Sequence, residues 1–516
     1  MKQIKRVLKK IPKSFPDAVK DKKLLSPPLL ALRSVTSKSG KGVYASSDTL
    51  FRGAVFGRDS LEVAEDLMRL KPRLVRHILT TLAHLQGLHS SDVSEEEHGK
   101  IVHEYRTRIV DGKQLDHVSK HIFEQLSSRW GGTDDELAYY GSIDATPHFI
   151  RVVGRYCQFY GDAFLKKSIK RRDGRIELMR DSVILAVDWL MDKLADSSSG
   201  LLEYRARNPE GIENQVWKDS LEFYVHQNGE LANHAQPIAS IEVQGLVYDA
   251  LRQAALFFPD RQQEFCARAE TLRDRTLALL WREDTSYFAL GIDHTDEGTI
   301  RPIETQTANP AALLDTTFFD DLSPEQQQIY IQGITRNIMG ADFLTDAGIR
   351  SRSLSENRLI KFWDYHGSFT SWPKETYDIA KGLRRQGFPK LARELENRLL
   401  NVMKVSRGYP EFVYVDFRGR VLAGSPRRLK HGRLSVVNST NKPETVQAWT
   451  VSAILAITSG QPSLIGAGGP AQSDWQHELE QEILSHIPHV PALRNAKALA
   501  ARYPDYPYQL QEAHES

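Results

Sequence analysis

The sequence predicts an all-α protein in which about twelve helices build the core and the long connections between them carry the chemistry. Three observations support this class. Apolar residues recur at i, i+3 and i+4 through most of the chain after about residue 59. Helix-opening prolines and capping residues punctuate those stretches. Polar and aromatic residues collect instead in four connections, 129–144, 203–237, 340–373 and 405–443. Connections longer than about 15 residues inside a folded domain are usually functional or disordered. No fixed period of 34 or 40 residues runs through the chain, which excludes a solenoid of identical repeats.

Leu61, Ala64, Leu67 and Met68 form the first stripe, and Pro72 opens a second helix through Leu74, Val75, Ile78, Leu79, Leu82 and Leu85. Phe149, Ile150, Val153, Cys157 and Tyr160 share one face of a helix over 147–160. A helix over 176–194 follows through Leu178, Val183, Val187, Leu190 and Leu194. Helices over 238–257 and 261–281 are separated by Pro259, and Ser323-Pro324 caps and opens one that runs to Met339. Further helices are predicted over 372–386, 389–405, 443–458 and 474–486.

Composition bounds the function. The chain has 516 residues, 41% hydrophobic and 26% charged, which is globular rather than disordered. No apolar run approaches 18 residues, so no integral membrane association is expected. Two cysteines, Cys157 and Cys266, cannot build a disulfide framework or a cysteine zinc site and suit a reducing, cytoplasmic setting. Residues 1–25 hold nine basic and two acidic residues, leaving 59 basic against 64 acidic in the rest, a net −5. A mildly acidic body argues against nucleic acid as a partner. The basic segment lacks the apolar core of a secretory signal, and residues 1–45 are read as a partly disordered arm. Residues 46–516 form the functional domain, with 460–516 a helical extension.

No dinucleotide, P-loop, HExxH or GxSxG motif occurs, and the 17 histidines show no metal-ligand spacing, so no cofactor or metal is implied. The glycine cluster 466–469 reads as a loop. Carboxylates set among aromatics remain. Asp59 follows Phe56-Gly57-Arg58 at the start of the first helix, as either a ligand-gripping acid or an N-cap. Asp219 follows Trp217-Lys218, where an indole face suits the raised pKa of a general acid, though a turn aspartate reads the same way. Glu411, in Tyr409-Pro410-Glu411-Phe412, is either a base or an exposed strand residue. Glu242 sits early in an apolar helix, facing either a cleft or a salt bridge. Two carboxylates with Trp and Tyr around them are the equipment of glycoside hydrolysis: one protonates the leaving oxygen and the other activates water. Arg58 and Asp59 offer paired hydrogen bonds to vicinal hydroxyls.

The ordered fragments FGRDSL (56–61), YYGSIDATPHFI (139–150), NQVWKDS (214–220), AQPIASIEVQGLVYDAL (235–251), GIRSRS (348–353), YHGSFTSWP (365–373), GLRRQG (382–387), YPEF (409–412) and QAW (447–449) go further. Together they resemble the catalytic domain of the amylo-α-1,6-glucosidase family, over about residues 45–460. WREDTSYFALGID (281–293) is similar to a β-turn stretch of the same domain. The resemblance implies a six-hairpin (α/α)6 toroid and an inverting α-glucosidase acting on α-glucans or oligosaccharides, the alternatives being a hydrolase of a small α-glucoside such as trehalose or glucosylglycerate, or a non-catalytic carbohydrate-binding toroid. By it, Asp219 corresponds to the general acid, Glu411 to the base, and Arg58 and Asp59 to the pair that grips the sugar. Tyr140, Asp144, Trp217, Lys218, Glu242, Gln244, His366 and Trp372 would line the same pocket. Two motifs depart from the family: SFTSWPKET stands where SVWP and an Asp-Asn pair are usual, and YPEFVYV where PELF and a glycine are usual. The stretch 415–443 is also long and basic, which leaves Glu444 as a second candidate for the base.

Overall fold

Thirteen α-helices occur among the described residues, the short Pro28–Val35 and twelve that follow it, against about twelve expected. The computed structural model describes residues 28–488, apart from 41, 49, 362, 407, 423–424, 429–433, 438–441 and 460–471. Most of the expected basic arm, the glycine cluster and part of the basic stretch 415–443 therefore lie outside the described residues. The chain divides into two compact units, one holding residues 35–305 and 316–323, the other 306–315 and the chain from 324 onward together with residues up to 34. No helix of the described residues is long and apolar enough to cross a membrane.

The first unit contains α1 (Gly57–Leu67), α2 (Pro72–Leu85), α3 (His117–Trp130), α4 (Ala145–Tyr160), α5 (Met179–Asp196), α6 (Ile241–Phe257) and α7 (Gln262–Leu280). Helix α1 packs on α2 and α4, α4 on α5 and α6, and α6 on α7. Most of the expected stripe residues are core: Leu61, Ala64, Leu67, Phe149, Ile150, Val153, Val183, Val187 and Leu190 are all fully buried, whereas Tyr160 and Leu178 are exposed and residues 176–178 form a strand ahead of α5. Each buried Leu, Ile, Val or Phe among them contributes about 1.5–3 kcal/mol.

Helix α3 is absent from the sequence reading, for a physical reason. Only Ser119, Phe123 and Trp130 of it are buried, so it has no broad apolar stripe. Its ends hold it instead. Asp116 accepts from the main-chain N–H groups of Val118 and Ser119 at 3.1 and 2.9 Å, and Gly131 closes the helix at φ 73°.

The second unit contains α8 (Pro324–Ile338), α9 (Pro373–Arg385), α10 (Pro389–Ser406), α11 (Ala448–Ser459) and α12 (Asp474–His486). Helix α9 packs on α10 and α11. Four of the helices predicted in this half start within a residue or so of the expected point, because Pro324, Pro373 and Pro389 sit at first-turn positions and Ser473 forms a capping box with Gln476. The fifth starts at Ala448 rather than 443, since residues 444–447 pair with 409–411 instead of coiling.

The protein is mostly helical, yet the connections carry strands that an all-α reading does not contain. Strand β1 (Val55–Phe56) pairs with β2 (Glu104–Thr107), which pairs with β3 (Glu136–Tyr139). Strand β4 (Ala239–Ser240) pairs with β5 (Gly291–His294), which also pairs with β6 (Ile300–Ile303). In the second unit, β7 (Thr370–Ser371) pairs with β8 (Val413–Val415), and β8 with β9 (Val421–Leu422). These strands of two to four residues are too short to show an alternating pattern in sequence. The stretch 281–293 does form a β-turn, with Trp281–Arg282 paired to Tyr287–Phe288.

Each of the three three-stranded sheets feeds the N-terminus of a helix: β1 leads into α1, β4 into α6, and β7 through Trp372 into α9. The approach at α1 is close. A Cβ on Gly57 would stand 2.1 Å from the carbonyl oxygen of Val102, so only glycine lets the helix begin against the irregular segment that leads into β2.

Candidate active site

The first unit gathers its candidate residues at three helix N-termini and one loop. Phe56 occupies the N-cap of α1 without a side-chain cap bond, so Asp59 is a first-turn residue rather than the cap. Asp144 occupies the N-cap of α4, yet its carboxylate does not cap the helix. It accepts from Arg58 instead, with Nη1 to Oδ2 at 2.6 Å, both side chains buried. Glu242 is the second residue of α6 and accepts from the Trp217 indole N–H at 2.9 Å and the Ser240 hydroxyl at 3.3 Å. Carboxylates at helix N-termini are favoured by the partial positive charge there. Asp144, Asp59 and Asp219 together raise the Arg58 pKa despite burial, which keeps the guanidinium charged.

Asp219 lies half-buried in an irregular loop between the buried Lys218 and Ser220. The loop is stapled by Asn214, whose amide donates to the Ser220 carbonyl at 2.9 Å while its oxygen accepts from the Tyr204 hydroxyl at 2.8 Å. The Ile143 N–H donates to the Gln215 carbonyl at 2.9 Å, tying the loop to the segment that carries Asp144. The Lys218 ammonium lies 4.9 Å from the Trp217 ring centroid and 5.1 Å from that of Phe223.

Tyr140 and Gln244 are held by hydrogen bonds to main-chain groups. Both are wholly buried. The Tyr140 hydroxyl donates to the Leu85 carbonyl at 2.6 Å, and the Gln244 amide accepts from the Leu202 N–H and donates to the Leu202 and Ser240 carbonyls. These bonds hold the loops around the site.

His103 is absent from the sequence reading, and Ser142 and Gln215 stand in its quoted fragments without being singled out. His103 is 4% exposed and wedged edge-on between the Phe56 and Tyr139 rings, at 5.4 and 5.9 Å. Its carbonyl accepts from the Gly57 N–H at 3.0 Å. Nothing in the run Ile101-Val102-His103-Glu104 marks it as special, since one histidine in a strand-like stretch is a common core residue. His103, Ser142 and Gln215 share one property with other buried groups of the chain. Arg58 Nε, His103 Nδ1, Ser142 Oγ, Asp144 Oδ1 and Gln215 Nε2 are buried and have no hydrogen-bond partner among the described residues. Native proteins leave few such atoms, each at a cost of about 1–3 kcal/mol. These five lie on mutually bonded segments, joined by the Arg58–Asp144 pair and by the Gly57–His103 and Ile143–Gln215 main-chain bonds.

Burial and the Arg58 charge lower the His103 pKa to about 3. An unfolded histidine titrates near 6.5. Between those values only the unfolded chain takes up the proton, so the contribution is complete above pH 6.5 and is lost as pH falls. The loss is at most about 1.4 kcal/mol per pH unit. Urea melts at pH 7 and pH 5 are expected to show a smaller acid loss in His103→Gln than in the wild type; equal losses would refute the assignment.

The second unit holds the remaining candidates. Main chains 409–411 and 444–447 run side by side, with Tyr409 N–H to the Thr445 carbonyl at 2.9 Å and Gln447 N–H to the Tyr409 carbonyl at 2.8 Å. Glu411 N–H donates to the Glu444 carbonyl at 2.9 Å, and Glu411 Oε2 accepts from the Glu444 N–H at 3.2 Å. The two candidates for the base are therefore direct neighbours. Glu411 is half-buried and Glu444 is buried. Trp372, at the N-cap of α9, stacks on His366 at 4.7 Å and meets Phe412 at 4.9 Å and Trp449 at 6.0 Å. Its indole N–H donates to the Tyr365 carbonyl at 2.7 Å.

Away from these residues, Glu62, Glu65 and His148 bring three ligand-type atoms within 4.8 Å of one another. Arg155 Nη1 stands 2.9 Å and Arg151 Nε 3.1 Å from the same Glu65 oxygen. Two guanidinium groups already neutralise that carboxylate, which makes the group an ion-pair network that disfavours a further cation.

The fold defines the class: a mostly helical chain whose small sheets present acidic and aromatic groups at helix N-termini. Among solved structures, the GH63 mannosylglycerate hydrolase from Thermus thermophilus is similar at 14% identity, both in complex with glucose and in complex with Tris and D-glycerate, with TM-scores of 0.51 and 0.52. An uncharacterized conserved protein from the same organism is similar at 13% identity with a TM-score of 0.52. Each match covers 84% of this chain and 100% of the other. The likeness is one of fold. No family model matches the chain, and no curated protein matches it by sequence.

Proposed function

We propose that this chain is an inverting glycoside hydrolase, an (α/α)6 toroid of the amylo-α-1,6-glucosidase type that cleaves α-glucosidic bonds in α-glucans or oligosaccharides. The observation that carries the reading is the grouping at helix N-termini of the Arg58–Asp144 pair and of Glu242, bonded to the Trp217 indole, in the same unit as Asp219. Asp219 is the general acid that protonates the leaving oxygen. Glu411 is the base that takes a proton from water as the water oxygen bonds to the anomeric carbon. Glycoside and water become a sugar of inverted configuration and a free alcohol, with both carboxyl groups restored by proton exchange. Glu444 is the alternative base. Its main chain bonds both the backbone and the carboxylate of Glu411, so replacing either residue disturbs the other. Arg58 and Asp59 grip the sugar, and Trp217, Lys218, Glu242, His366 and Trp372 complete its surroundings. The two cysteines are free, in keeping with a cytoplasmic setting.

A second reading is a hydrolase of a small α-glycoside such as a glycosylglycerate. The fold match to mannosylglycerate hydrolase favours it.

Proton NMR of the anomeric region separates these readings. The panel is isomaltose, panose, branched limit dextrin, trehalose, glucosylglycerate and mannosylglycerate. First-formed β-glucose is expected, from isomaltose or limit dextrin under the first reading and from glucosylglycerate under the second. First-formed α-glucose would overturn inversion, and no release from any substrate would overturn the hydrolase. The kcat–pH profile is expected to be bell-shaped, peaking between about pH 5 and 7, because the acid must be protonated while the base is ionised.

A further inference from the structure

Arg350 lies in Gly348-Ile349-Arg350-Ser351-Arg352-Ser353, a motif with no part in the proposed reaction. It is 1% exposed. Its Nη1 donates to the Ser368 carbonyl and its Nη2 to the Asp416 carbonyl, each at 2.7 Å. No carboxylate among the described residues lies within ion-pair distance of it. Asp416 turns its own carboxylate to the Arg420 guanidinium at 2.6 Å and to the N–H groups of Arg418 and Arg420. Burial lowers the Arg350 pKa to about 10, so it stays a cation at neutral pH.

A buried guanidinium bonded only to neutral carbonyls is a costly arrangement. What it supplies is rigidity: a planar fork fixes the separation of the two oxygens it binds, which a lysine cannot do. Those oxygens belong to the two segments that carry the candidate groups of the second unit. Ser368 lies between His366 and Trp372, and Asp416 directly follows β8, five residues after Glu411. The backbone of Arg350 joins the same ladder, bridging to Ser371, which pairs with Val413. The Val415 N–H donates to the Phe369 carbonyl at 2.8 Å.

We propose that Arg350 is a positioning residue for the base: its guanidinium fixes segment 409–416 against segment 366–371 and so holds the Glu411 carboxylate in one place. The role rests on the reading of Glu411 as the base. Loss of the fork lets the carboxylate wander, which slows water activation more than it weakens sugar binding.

The test compares wild type with Arg350→Lys and Arg350→Gln on the substrate that the NMR panel identifies. Both variants are expected to lower kcat at least tenfold while changing KM less than threefold, and to move the acidic limb of the kcat–pH profile. Amide hydrogen exchange is expected to rise about tenfold in 366–371 and 409–416 and to stay unchanged in α4. A lowered Tm with unchanged kcat and an unchanged acidic limb would overturn the proposal in favour of a plain structural bond. Unchanged exchange in 409–416 would overturn it whatever the kinetics. If the wild type cleaves no substrate, the hydrolase reading fails by itself; raised exchange in both segments then supports the fixing of 409–416, and unchanged exchange removes it.

Discussion

Asp219→Asn is expected to lower kcat by about 10²–10⁴-fold on any substrate whose leaving group is a sugar or glycerate hydroxyl. Such an alkoxide is a poor leaving group, so bond cleavage depends on a proton delivered to the departing oxygen. Asparagine keeps the shape and the hydrogen-bonding oxygen of aspartate but has no acidic proton. The same variant is expected to lose far less on α-glucosyl fluoride, since fluoride leaves without protonation. This contrast separates acid catalysis from a merely damaged pocket, which would slow both substrates alike. A variant that retains wild-type kcat on isomaltose and glucosylglycerate would remove Asp219 from the mechanism. The surroundings support the experiment. Asn214 staples the loop through the Ser220 carbonyl and Tyr204, contacts that do not involve the Asp219 carboxylate, so the loop geometry is expected to survive.

The second large effect is on stability. Glu65→Gln is expected to cost about 3–5 kcal/mol, as does the loss of one partner from other buried ion pairs. Helix α1 is buried over nearly its whole length, so Glu62 and Glu65 have no solvent to face. Glu65 is 3% exposed, and one of its oxygens serves both Arg151 and Arg155. Arg151 Nε also stands 3.4 Å and Arg155 Nη2 3.8 Å from Asp249 of α6, so the network ties α1 to α4 and α6. A neutral amide would leave two guanidinium groups sharing Asp249. Against the opposing cost of burial, the attraction of Arg151, Arg155 and His148 holds the Glu65 pKa well below the ordinary carboxylate range. Its stabilising contribution is therefore full above the unfolded pKa, about 4.3, and declines as pH falls below it. Thermal melts at pH 7 and pH 4 are expected to differ less in the variant than in the wild type. A Tm loss of only a degree or two at pH 7 would sink this account.

Much of the helical framework was legible in the residues. Leu61, Ala64 and Leu67, or Phe149, Ile150 and Val153, repeat at the helical period because one face of each helix must leave water, and prolines at first-turn positions mark where the helices open. Helix α3 escaped because its caps, not its apolar face, hold it. The strands escaped because two residues cannot display a period, and their pairing partners lie up to about fifty residues away in sequence.

Most of the helices, many of their starting points and the carboxylates that stand beside aromatic residues are legible in the residues alone, since periodicity, proline and composition are local properties. Only the tertiary structure decided that Asp144 holds Arg58 rather than capping its own helix, and that Glu411 and Glu444 lie side by side. It alone brought His103, Ser142 and Gln215 in as a buried set of unpartnered polar atoms. The reason is physical: a polar group's burial and its partners depend on segments far apart in the chain, so its environment exists only once those segments are packed together.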